Sequence, residues 1–121
     1  MSQNIDFTTL FDVLYDNAQG AFGSVNLITS AANYARFKIY TKDTDNNQGS
    51  IEIYEPNGKT FCSSLATTFS GSVFAKTKRW SISGTSISQI NYAAYTIGNS
   101  AVSVDTTANQ VSIIRVEGWK F

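Results

Sequence analysis

Turn-forming clusters punctuate this sequence at roughly the 8–12-residue spacing of all-β sandwiches and barrels. In order they are "DNAQG" (16–20), "TSAAN" (29–33), "DTDNNQG" (43–49), "PNG" (56–58), "SGS" (70–72), "GT" (84–85), "GN" (98–99) and "DTTAN" (105–109). Eight or nine strand-length pieces lie between them, with no linker, low-complexity tract or internal repeat. The pattern predicts an all-β fold, an antiparallel, jelly-roll-like β-sandwich. At 121 residues the chain has the size of one domain. We place that domain at residues 10–121, behind an N-terminal arm at 1–9.

Local chemistry refines the turns. In "EPNGK", Pro56 suits the first central position of a type I turn, with Asn57 and Gly58 after it. Gly84-Thr85 and Gly98-Asn99 each put Gly first in a two-residue connection, the pattern of a type II′ hairpin. The stretch "DFTTLFDVLYDN" fits helical and extended readings about equally, and its surroundings favour an arm followed by a strand.

The clearest hairpin joins 34–42 to 50–55. Alternation puts Ala35, Phe37, Ile39 and Thr41 on one face and Tyr34, Arg36, Lys38 and Tyr40 on the other. A loop symmetric about Asn46 would set Ile39 opposite Ile53, Tyr40 opposite Glu52 and Lys38 opposite Tyr54. In "SVFAKTKRWSIS" (72–83), one face carries Phe74, Lys76, Lys78, Trp80 and Ile82. Apolar ends around a basic middle predict an edge strand or an interface, since lysines discourage edge pairing. In "QVSIIRVEGWKF" (110–121), Val111 and Ile113 share one parity, Ile114 and Val116 the other. Such a strand is either central and covered on both sides or bulged near Ile113.

Composition excludes several function classes. Nine basic and nine acidic residues balance, so no global field draws nucleic acid or an anionic membrane. No apolar run approaches the ~18 residues of a membrane span, and "MSQNIDFTTLF" lacks the n- and h-regions of a signal peptide. The chain has no histidine and one cysteine, Cys62. That removes the usual partner of a Ser or Cys nucleophile, any intrachain disulfide and any Cys-based zinc site. The three glutamates, Glu52, Glu55 and Glu117, give no sign of a glycosidase pair. The expectation is a protein that is not an enzyme and needs no cofactor. "DTDNNQG" offers oxygens at Asp43, Asp45 and Asn47 in the manner of a calcium loop. Gln48 stands in place of the turn glycine and Tyr54 in place of the bidentate Glu, so a solvated hairpin loop is expected and no metal site.

Charged residues are only 15% of the chain, which leaves a surface rich in Ser, Thr, Asn and Gln, the profile of an extracellular or virion β-protein. Sixteen aromatics (eight Phe, six Tyr, two Trp) exceed what a small sandwich core needs. Tyr34, Tyr40 and Tyr54 fall on the outer face of the predicted hairpin with Arg36 and Lys38. Such a patch suits a subunit interface, a stacked saccharide or ordinary cross-strand pairing. The ligand-contact candidates are Tyr40, Tyr54, Arg36 and Lys38, and the subunit-interface candidates Trp80, Trp119 and Phe121.

From about residue 14 onward, "NYARFKIYTKDTDNNQGSIEIYEPNGKTFCSS", "SGSVFAKTKRWSISGTSIS" and the closing "VSIIRVEGWKF" resemble the small β-sandwich domains that end many tail and fibre proteins of phages infecting Gram-positive bacteria. The resemblance rests on the Asn33-Tyr34 lead into the hairpin, the "ISGTSI" hairpin, and the aliphatic strand ending in Gly118, Trp119 and Lys120. It implies a trimeric structural domain of the virion, assembled in the host cytoplasm and commonly used to contact the host surface, often its saccharides. In that family a long shaft usually precedes the domain, whereas barely ten residues precede the first strand here. The resemblance therefore implies docking onto a larger virion protein of the tail tip, baseplate, fibre or a surface appendage. Two alternatives remain open, a capsid decoration protein without receptor binding and a stand-alone carbohydrate-binding module of a bacterial system.

Overall fold

Alternating burial sets the architecture. In the computed structural model, which describes residues 10–121, Phe37, Ile39, Thr41 and Asp43 point inward from one strand while their neighbours are half-buried on the other side. Among the described residues nine strands form in chain order: β1 (Phe11–Ala21), β2 (Val25–Asn26), β3 (Arg36–Asp43), β4 (Gln48–Tyr54), β5 (Thr60–Phe69), β6 (Ser72–Ser83), β7 (Ser86–Ile97), β8 (Val102–Asp105) and β9 (Val111–Trp119). A 3-10 turn at Ala31–Asn33 is capped by the Ser30 hydroxyl, which accepts from the Ala32 N–H.

The strands make two antiparallel sheets, a β-sandwich. The front sheet runs β1-β9-β3-β4 and the back sheet β2-β7-β6-β5, with β8 also paired to β7. β5 to β8 form a continuous meander, while β9 returns to lie between β1 and β3. The core between the sheets holds Leu14, Val25, Phe37, Ile39, Trp80, Ile82, Ile87, Ile113 and Val116.

The two apolar parities of β9 have a simple cause. β9 is central, and it also carries a bulge: Tyr40 pairs with Arg115 but Thr41 pairs with Ile113, leaving Ile114 unmatched. The extra residue switches parity, so Ile113 and Val116, three apart, both enter the core. Gly118 then faces inward beneath the Tyr34 ring, where a Cβ would sit 2.7 Å from Tyr34 Cδ1 and 2.9 Å from Leu14 Cδ1.

Several expectations are corrected. The hairpin keeps its core face but not its register: Ile39 pairs with Ile51, Lys38 with Glu52 and Arg36 with Tyr54. The loop is centred on Asp45 rather than Asn46, because the Asp43 carboxylate accepts from the N–H groups of Asp45 and Asn47 and draws the turn around itself. Tyr34 lies in the core, not on the outer face. Pro56 precedes the central pair of its turn: its carbonyl accepts from Lys59 N–H at 3.1 Å, and Gly58 supplies the positive φ of 81°. Gly84-Thr85 is the two-residue hairpin expected, with Ser83 paired to Ser86 and Gly84 at φ 58°. Gly98-Asn99 opens a four-residue loop instead, since Ile97 pairs with Val102.

The largest correction concerns β6. It is no edge strand: β5 and β7 flank it along its length. The face carrying Phe74, Lys76, Lys78, Trp80 and Ile82 is the one turned toward the front sheet, and both lysines are buried.

Candidate functional site

The front sheet's outer face gathers most of the residues singled out in the sequence. Pairing aligns Tyr54, Arg36, Trp119 and Phe11 in one row across β4, β3, β9 and β1. The next row is Glu52, Lys38, Glu117 and Val13, and the row beyond it Ser50, Tyr40, Arg115 and Asp16. All four ligand candidates therefore share one surface with Trp119, and Phe121 folds back onto it.

The side chains of this face are already paired with one another. The Arg36 guanidinium carbon lies 4.5 Å above the Trp119 ring, its Nε donates to the Phe121 main-chain oxygen at 3.2 Å, and its NH1 stands 3.5 Å from Glu52 Oε1. Trp119 also packs against Phe11 at 4.7 Å and meets Phe121 edge-on at 6.1 Å. Its buried Nε1–H finds no acceptor among the described residues. Tyr40 O–H donates to Glu117 Oε1 at 3.0 Å, and Arg115 Nε donates to Glu117 Oε2 at 2.8 Å. Lys38 Nζ sits 5.2 Å from the Tyr40 ring centre. Tyr54 and Phe121 stay 66% and 65% exposed, the open aromatic surface of the face.

Trp80, named with Trp119 and Phe121 as an interface residue, belongs elsewhere. It is fully buried, donates from Nε1 to Ser63 Oγ at 3.1 Å and stacks on Phe61. Its position on the inward parity of a central strand leaves it nothing to present to a partner.

Two polar constellations lie between the sheets, and sequence reasoning missed both. Lys76 Nζ reaches Asp43 Oδ2 at 3.6 Å, Asp45 Oδ2 and the Thr44 hydroxyl. Burial alone would raise the Asp43 pKa, but bonds from the Asn47 side chain and from the Asn47 and Asp45 N–H groups, together with Lys76, hold it below the ordinary carboxylate value. The oxygens that gave this loop its calcium-like look are thus organised around N–H donors and an ammonium. Lys78 faces no carboxylate among the described residues; Phe22 O, Asn109 Oδ1 and Val111 O accept from it. Its Nζ also lies 4.4 Å from the Trp80 ring centre. Desolvation lowers its pKa to about 8.

A cleft of about 460 Å³ opens beside Lys76, where Phe74, Thr96, Ser103 and Asp105 of the back sheet meet Asp45 of the β3–β4 turn and Gln110. A second hollow of about 400 Å³ adjoins it, lined by Asn47, Thr67 and Phe69 and sharing Asp45 and Phe74. The signal for this region was present in the sequence as alternate hydroxyl and carboxylate residues in β8, but nothing local shows that Ser103 and Asp105, on an exposed strand, line a cleft at the end of the sandwich. No family model matches this chain, and neither a curated protein nor a solved structure matches it.

Proposed function

We propose that this chain is a structural subunit of a phage virion, part of a tail tip, baseplate, fibre or surface appendage, and that it works as a homo-oligomer, a trimer, seated on a larger virion protein. The virion assignment rests on the resemblance drawn from the sequence. The observation that supports an assembly role is the front-sheet row of Tyr54, Arg36, Trp119 and Phe11 with Phe121. Trp, Tyr, Phe and Arg are the residue types that concentrate binding energy at protein interfaces. Here they occupy one face whose arginines are already paired with Glu52, Glu117 and Asp16, so docking need not desolvate an unpaired guanidinium.

The same pairing argues against this face as the saccharide site. Tyr40 O–H and both Glu117 oxygens are engaged within the face, which leaves them less free to bond a sugar's hydroxyls. Sedimentation of the full chain at micromolar concentration tests the reading. A trimer that Trp119→Ala with Tyr54→Ala converts to a folded monomer is the expected result; a wild-type monomer overturns it.

A further inference from the structure

The back sheet outreaches the front sheet at one end, and what it exposes there is a polar floor with aromatic flanks. Pairing sets Thr67, Phe74, Thr96 and Ser103 in one inward-facing row and Leu65, Lys76, Ala94 and Asp105 in the next. These rows floor the 460 Å³ cleft and run beneath its neighbour, in the size range of small-molecule sites. The Asp45 carboxylate stands on the hairpin turn, with one oxygen on Lys76 and the side chain 64% exposed. Across the floor, Asp105 Oδ1 accepts from the Thr107 hydroxyl at 2.7 Å and the Thr107 N–H at 2.9 Å. Those two bonds, the hydroxyl first, hold its carboxyl below the ordinary value, so it stays an ionised acceptor. Phe74 divides the two hollows, and Phe69 lies 72% exposed in the second.

We propose that this trough binds a neutral oligosaccharide, one sugar ring lying in the larger cleft with hydroxyls on Asp45 and Asp105, and the next passing over Phe74 onto Phe69. Three features select that class. Carboxylate acceptors beside Thr and Ser hydroxyls match vicinal diols, which donate and accept in turn. Aromatic faces beside them match the apolar C–H face of a pyranose. The charge balance disfavours anions: Asp43 and Asp45 already flank the Lys76 ammonium, and Asp105 adds a further negative charge. The site lies on the back sheet's inner side, so its occupancy does not depend on the subunit contact proposed for the front sheet.

The test is an amide chemical-shift titration of the full-length protein with chitotriose, maltotriose and cellotriose, and with trigalacturonate as the charged counterpart. Binding of at least one neutral trisaccharide, with shifts centred on Thr96, Ser103 and Asp105, is the expected result. Phe69→Ala and Asp105→Asn, both at exposed positions, should each weaken it about tenfold, and trigalacturonate should bind at least as much more weakly. Sedimentation of both variants should match wild type, which separates failure of this site from failure of assembly. The proposal is overturned by the absence of shifts with all three neutral sugars, by shifts centred on Arg36 and Trp119, by trigalacturonate binding equally well, or by unchanged affinity in both variants.

Discussion

Lys76 Nζ on β6 lies 3.6 Å from Asp43 Oδ2 on β3, a salt bridge running from one sheet to the other with both side chains buried. The energetics of such a pair are asymmetric. Forming it contributes little net stability, because desolvation offsets the attraction, but removing one partner strands a buried charge. Lys76→Met should cost about 3–5 kcal/mol in denaturant unfolding. Combining it with Asp43→Asn should recover part of that loss, and strict additivity of the two would show that the pair is not coupled.

Asp43 also contributes to the acid limb. Its folded-state pKa lies below the unfolded value, so its stabilisation is present above the ordinary carboxylate range and is lost as pH falls through the lower folded value. Unfolding midpoints followed from pH 6 to pH 2 should decline through that range. Asp43→Asn should decline less steeply there, and parallel curves would show that other carboxylates carry the acid sensitivity.

Lys78 acts at the opposite end of the pH scale. Burial lowers its pKa from 10.5 to about 8, so the unfolded chain binds the proton more tightly between those values. Stability should therefore rise as pH increases through that window, by up to about 3 kcal/mol. Tyr34, whose pKa is raised by burial and then by its bond to Asp12, opposes the rise at the upper end of the window. The clean measurement is the difference between wild type and Lys78→Met from pH 7.5 to 9.5. An unchanged slope in the variant removes Lys78 as the cause.

Gly118 is a packing requirement. A Cβ there would meet two Tyr34 ring atoms at 2.7 and 2.8 Å and Leu14 Cδ1 at 2.9 Å, none of which can move without opening the core. Gly118→Ala should destabilise by about 1–3 kcal/mol. Gly23→Ala, whose Cβ meets nothing within 4 Å, should stay within about 0.5 kcal/mol of wild type. Equal effects at both positions would refute the packing explanation.

What the sequence by itself determined was everything carried by short-range periodicity. The turn clusters and two-residue alternation give the all-β class, nearly every strand, the inward face of β3 and the shared outer face of Arg36, Lys38, Tyr40 and Tyr54. Those signals are local, because a strand's pleat and a Gly-Thr turn depend on immediate neighbours. What only the tertiary structure decided depends on a partner distant in sequence. The lysines of β6 resemble an edge until Asp43 and the carbonyl of Val111 are placed across from them. The apolar parities of β9 conflict until the Ile114 bulge is matched against β1 and β3. The cleft at the end of the sandwich exists because one sheet is longer than the other, and no window of residues encodes a difference in length between two sheets. At the end of "QVSIIRVEGWKF", Gly118 is thus covered by Leu14 and Tyr34 on the inner side, and Trp119 by Arg36, Phe11 and Phe121 on the outer.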